Sequence, residues 1–201
     1  MFAKLRRRLS ILRASEVSVL DNPRICNLKK LTIPNQKELL GLYNRSIPLD
    51  IIGKIRISDI KKLSYLKIVE IQAILNREYL EIEDIIQIIH IATGLSYKNL
   101  IRKRLYPVMR FFKFVKSGIQ EINDMEAANL SYEPSADEVK AGIEELSRFN
   151  NLSSVKTIAD FMNIPVDQMD RLTWEEAFSI LYYNSSINKY EKKYIKVTTK
   201  T

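Results

Sequence analysis

From Ser58 onward, apolar side chains fall on one face of a helical period rather than alternating as a strand requires. Ile60, Leu63, Leu66, Ile71, Ile74 and Leu75 mark one such face, with Ser58 placed to cap it and Asn76 to end it. A second face runs from about Glu78 through Ile82, Ile85, Ile86 and Ile89 to Gly94. Its first turn is acidic, which suits the positive end of a helix dipole, and Gly94 suits a left-handed C-terminal residue. Isoleucine richness also fits a strand, but this run is too long and too regularly broken by polar residues. Ser96 opens a short helix, and Pro107 sits in the first turn of a long one ending near Ala128.

The stretch Asn129 to Pro134 reads as a linker between two helical halves. Beyond it, Ser135 to Glu138 and Thr173 to Glu176 both match the capping box, in which hydroxyl and carboxylate satisfy each other's orphan backbone donors. Between them lies a short pair, about 153–162 and 166–172, and a final helix runs from Trp174 to about Lys196. The expected fold is all-α: about eight helices in a bundle-like arrangement, essentially no sheet, and an extended basic N-terminal arm. The organisation is an arm at 1–57, a helical half at 58–130 and a second half at 131–201. Residues 14–57 contain three prolines and little periodicity, and read as extended chain with one short helix near Gln36 to Tyr43.

Composition narrows the chemistry. Among 201 residues there is one cysteine, which excludes an internal disulfide framework and a thiolate-rich zinc site. One histidine excludes a multi-histidine metal centre. Five glycines leave little for nucleotide-binding loops or tight hairpins. The most apolar stretch, Ile82 to Ala92, is interrupted by Glu83, Asp84, Gln87 and His90, so no membrane span is expected. His90 reads as a satisfied core histidine, Cys26 as a small apolar residue, and Glu121, Asp124 and Glu126 as a solvated helix end. No catalytic residue, cofactor site or metal ligand is assigned, and the chain is read as a non-enzyme.

The first thirteen residues carry five basic side chains and no acid. Phe2, Leu5, Leu9 and Leu12 share one helical face, with Arg6, Arg7, Arg8 and Arg13 mostly elsewhere. A transit peptide, an interfacial helix and a basic arm on nucleic acid all fit this pattern, as does packing on the chain's own body. These eight residues are the expected partner-binding set.

Charge alternates along the chain: +6 over 1–30, +4 over 31–77, −3 over 78–100, +6 over 101–119, −7 over 120–147, −2 over 148–176 and +4 over 177–201. Such blocks suit docking of one copy on a neighbour, because complementary charge sets register. They also mark Arg102, Lys103 and Arg104, with Arg6, Arg7 and Arg8, as candidate DNA-facing residues. The aromatics cluster at Tyr106, Phe111, Phe112 and Phe114 and at Trp174, Phe178, Tyr182 and Tyr183. The adjacent pairs Phe111–Phe112 and Tyr182–Tyr183 should point in two directions, one ring of each toward another helix or chain.

Residues 88–103 and 157–172 resemble each other: a short helix, a turn at Gly94 or Asn163, an apolar residue (Leu95, Ile164), then a second short helix holding Leu100 or Met169. The later copy also has the spacing of a helix-turn-helix, with Ala159 and Asn163 at the small-residue and turn positions. Its reading segment carries Asp167 and Asp170, which phosphate would repel.

The second half, IADFMNIPVDQMDRLTWEEAFSILYYNSSINKYEKKY, with the preceding SADEVKAGIEELSRF, resembles small all-helical structural and assembly proteins of tailed double-stranded DNA bacteriophages. The likeness is one of layout over about 78–196: paired short helices, then W-E-E opening an aromatic helix that ends in K-Y-E-K-K-Y. It implies a head–tail connector, neck, portal-associated or tail ring subunit in the virion, assembled in the host cytoplasm. Its partners would be portal or neighbouring subunits, further copies of itself and, without sequence preference, DNA. The same resemblance extends to tail-assembly chaperones that leave before the particle matures. A helix-turn-helix nucleic-acid-binding regulator is the remaining alternative.

Overall fold

A computed structural model describes residues 43–44, 46–78, 80–131, 134, 139–143, 145 and 150–198. Among them the chain is mostly helical, as its periodicity predicts. Six α-helices are present: α1 (Tyr65–Leu75), α2 (Ile82–Thr93), α3 (Tyr97–Ile101), α4 (Leu105–Leu130), α5 (Asn150–Met162) and α6 (Trp174–Thr198). Two 3-10 segments, Ile60–Lys62 and Val166–Arg171, and one small sheet accompany them. The chain divides into two compact units. The described part of the first is 43–58 and 80–115; that of the second is 59–78 and 116–198.

The sheet adds strand pairing to the extended chain expected before Ser58. Strands β1 (Ile51–Ile52) and β2 (Ile55–Arg56) pair antiparallel, Ile52 opposite Ile55, across a two-residue loop. Gly53 takes φ +65°, and glycine at the first loop position with positive φ is what a type II′ hairpin demands. One of the scarce glycines is thus spent on the tight hairpin that their scarcity argued against. Ile52 faces the core at 1% exposure, and Ile57 donates its N–H to the Asp50 carbonyl to close the base of the hairpin.

The first helical face is also interrupted. Asp59, not Ser58, starts the chain turning, by accepting from the Lys61 N–H at 2.9 Å. The turn stops at Leu63, and Ser64 then caps α1 by accepting from the Lys67 N–H. The break has a tertiary cause. Ser64 bridges Thr173: the Tyr65 N–H donates to the Leu172 carbonyl at 2.8 Å and the Trp174 N–H to the Leu63 carbonyl at 3.0 Å. Two helix N-caps are therefore joined by a scrap of extended backbone, and a continuous helix through Ser64 would forfeit both bonds. Close packing in this unit also explains Gly118 within α4, where a Cβ would lie 2.5 Å from Cγ1 of Ile60.

The two similar segments keep one layout at a constant offset of 69 positions, 94 to 163 and 105 to 174. Gly94 and Asn163 both adopt positive φ, 71° and 52°, immediately after α2 and α5. The interior positions correspond as well. Ile86, Ile89, Leu100, Leu105, Val108 and Phe111 are buried in the first unit, and Val155, Ile158, Met169, Trp174, Ala177 and Ile180 occupy the same places in the second. One difference matters for the helix-turn-helix reading. The second short element is α-helical in the first unit, but Val166–Arg171 is a 3-10 segment, so no α-helix stands where a reading helix would begin.

Candidate interaction surfaces

Phe2, Leu5, Arg6, Arg7, Arg8, Leu9, Leu12 and Arg13 lie outside the described residues, as do Cys26 and the Ser135–Glu138 capping box. Arg102, Lys103 and Arg104 are described, and they sit in the connection between α3 and α4. Arg102 and Arg104 are exposed and Lys103 is half-buried. Tertiary structure adds neighbours to them that sequence spacing did not. The Leu49 N–H donates to the Arg110 carbonyl at 3.2 Å, and Arg110 Nε donates to the Ile47 carbonyl at 2.8 Å, fixing the chain leading into the hairpin on the first turns of α4. From there the hairpin reaches the α3–α4 connection: a Cβ on Gly53 would stand 3.0 Å from Lys103 Nζ. The exposed hairpin residue Lys54 thereby joins the group, and exposed Tyr97 and Lys98 open the short helix beside it.

Two other cations of this block have structural tasks. Lys113 Nζ donates to the carbonyls of Tyr43, Asn44 and Ser46 at 3.3, 3.0 and 2.9 Å, and lies 5.4 Å from the centre of the Tyr43 ring. Burial pushes the Tyr43 phenol above its ordinary range. The Arg110 guanidinium stacks 5.6 Å over Tyr106. Among the described residues, none of Lys54, Lys98, Arg102 and Arg104 is paired with a carboxylate, whereas Arg56 pairs with Asp50 and half-buried Lys61 with Glu121.

In the second unit the acidic trio divides by role. Glu121 is exposed and lies 3.8 Å from Lys61, and Asp124 accepts from Gln120. Glu126 departs from the solvated end that was expected. It is half-buried, and accepts from Trp174 Nε1 at 2.8 Å on one oxygen and from Gln72 Nε2 at 3.1 Å on the other. Gln72 also donates to Asn123 Oδ1 at 2.8 Å. Tyr65 lies in the same neighbourhood, its phenol pushed up to about 12 chiefly by burial, with the Glu126 charge adding and a Ser154 hydrogen bond opposing. This cluster ties α1, α4, α5 and α6 together, and its polar atoms are spent on one another. No group of three acidic, histidine or cysteine side chains fit to hold a metal occurs among the described residues.

His90 also differs from expectation. It is exposed, and its Nδ1 lies 2.7 Å from the Leu95 carbonyl oxygen. A carbonyl only accepts, so Nδ1 carries the proton and the ring latches the turn after α2. The period placed His90 among isoleucines, but at the last turn of α2 the nearest acceptor is on the solvent side.

The adjacent aromatic pairs point in two directions, as their spacing predicts: Phe111 meets Phe114 of its own helix and Phe112 meets Tyr43, while Tyr182 stacks on Phe178 of α6 and Tyr183 meets Phe161 of α5. Phe111 and Phe112 are both buried, and Tyr182 and Tyr183 are both exposed. Trp174, Phe178 and Tyr182 stack at four-residue intervals, with ring centres 4.8 and 6.2 Å apart. Another face of α6 presents Tyr183, Ile187, Tyr190 and Tyr194, spaced four, three and four residues apart and 36–67% exposed. Phe161, half exposed on α5, meets Tyr183 edge-on at 6.0 Å and widens the patch, and Tyr190 stacks on Tyr194 at 6.2 Å. From Ser186 onward every described side chain of α6 is exposed. Sequence reasoning stopped this aromatic group at Tyr183; the four–three spacing continuing to Tyr194 was the available signal.

Among the described residues no helix is long and apolar enough to cross a membrane. Comparison with protein-family models, curated proteins and solved structures finds no match.

Proposed function

We propose that the chain is a non-enzymatic bacteriophage virion structural protein, a neck, portal-associated or tail ring subunit working through protein–protein contacts. The observation that supports this best is the exposed apolar face of α6, Tyr183, Ile187, Tyr190 and Tyr194 with Phe161 beside it. Large contiguous apolar surface on a chain of mixed charge marks a contact region, and tyrosine brings wide contact area at low conformational cost. The alternation of charge along the chain supplies register for a neighbour, a further copy included. The basic arm, from Phe2 to Arg13, would lie on that neighbour or near the DNA path.

A tail-assembly chaperone is the second reading, because the same exposed face suits a client that is later released. Mass measurement in low and high salt tests the first reading, alone and with phage head and tail proteins. Oligomers or complexes that Tyr190→Ser with Tyr194→Ser dissolves are expected, and a strict monomer in every mixture overturns it. Detection of the chain in purified virions separates the structural reading from the chaperone.

A further inference from the structure

We infer that the α3–α4 connection and the hairpin tip of the first unit form a binding surface for the phosphate backbone of nucleic acid, engaged without reading sequence. The inference does not depend on the assembly reading above. Lys54, Lys98, Arg102 and Arg104 are exposed there, and Lys103 stands over Gly53 at the junction of the two elements. They belong to a longer chemical bias: between Asp84 and Glu121 the chain has seven lysines and arginines and no carboxylate.

The second unit supplies an internal control. It builds the same turn, short element and long helix 69 positions later, with the same interior positions buried. There the counterparts of Lys98, Ile101, Lys103 and Arg104 are Asp167, Asp170, Leu172 and Thr173, and only Arg102 keeps its charge, as Arg171. The layout therefore forms with a single cation at this connection, and the further ones concentrated in the first unit are not a demand of folding. Lys113, by contrast, spends its donors on three backbone carbonyls, and Arg110 is held by its Nε bond to Ile47 and its stacking on Tyr106, so neither is counted in the surface.

A regular polyanion fits this surface better than an acidic protein face does. Protein interfaces are depleted in lysine at their centres and need buried apolar anchors, whereas phosphate contacts need only accessible Lys and Arg donors. Exposed Tyr97, next to Lys98, offers a ring on which an unpaired base can stack.

The test is binding of the full chain to a short mixed-sequence duplex DNA and to the matching single strand, followed between about 50 and 200 mM salt. Each phosphate contact contributes about 0.9 to the slope of log affinity against log salt for duplex. Lys54→Ala with Arg102→Ala and Arg104→Ala should flatten the duplex slope by about three and weaken binding equally across DNA sequences. Arg102→Ala with Arg104→Ala alone, which leaves the hairpin intact, should flatten it by about two. Steeper loss for the single strand in Tyr97→Ala supports the stacking contact. No binding at the lowest salt overturns the inference. So does an unchanged slope in both variants when Arg6→Ala, Arg7→Ala and Arg8→Ala abolishes it, since the arm would then be the binder. Equal affinity for polyglutamate of matched length overturns it in favour of an acidic protein surface.

Discussion

Trp174 donates its indole N–H to Glu126 at 2.8 Å across a separation of 48 residues, and only 1% of Trp174 remains exposed. The bond joins the first turn of α6 to the C-terminal half of α4, and Gln72 adds α1 through the same carboxylate. A tryptophan this buried needs a partner for its one polar atom, and an acid near a helix C-terminus needs donors to offset an unfavourable dipole.

Removing either partner should therefore cost stability. Trp174→Phe and Glu126→Ala are each expected to lose about 1–3 kcal/mol, measured by urea unfolding, from the unpaired group left behind as much as from the lost bond. The double variant should lose less than the sum, with a coupling of roughly 0.5–3 kcal/mol. Strict additivity would show that the contact carries no energy.

Gly118 gives a prediction opposite to the usual one. In a helix interior, glycine to alanine normally gains about 0.5–1 kcal/mol. Here the new Cβ would meet Ile60 at 2.5 Å, so Gly118→Ala should instead lose about 1–3 kcal/mol, while Ser117→Ala on the exposed side of the same turn should be neutral or slightly stabilising. Equal effects at the two positions would contradict the close approach.

Gly94 and Asn163 should respond in opposite senses. No atom lies within 4 Å of a Cβ built on Gly94, so Gly94→Ala pays only for its φ of 71°, about 1–2 kcal/mol. Asn163→Gly relieves the same backbone demand and should hold or raise the melting temperature. A destabilising Asn163→Gly would mean that the asparagine side chain, rather than its conformational tolerance, is what the turn uses.

The cap of α6 should show in acid. Glu176 accepts from the Thr173 backbone N–H at 2.9 Å and from its hydroxyl at 2.8 Å, and these bonds, the backbone one foremost, hold its carboxyl below the ordinary glutamate value. A depressed folded-state value means the contribution is complete at neutral pH and is lost as pH falls through that value. Carboxyl titration by NMR should place Glu176 below the ordinary glutamate value, and Thr173→Ala should raise it only in part, because the backbone donor remains. A Glu176 that titrates at the ordinary glutamate value would remove the cap's electrostatic role.

The Thr173–Glu176 box, the glycine after α2, the asparagine turn after α5 and the helical character of most of the chain were legible in the sequence. Each is settled within one or two turns of backbone, where side-chain spacing and φ preference suffice. The likeness of the two segments was legible for the same reason, since a repeat is a property of order along the chain. Other features depended on partners far away in sequence. The break at Ser64 follows from pairing with Thr173, the hairpin's place from Arg110, the role of Glu126 from Trp174, and the company of Lys103 from Gly53. A local pattern records which face of a helix is apolar, but not which surface will cover it. Hence the chain alone determined a helical, unevenly charged protein, and tertiary structure decided which charges are spent on carbonyls, which gather on one surface, and which aromatic face stays open.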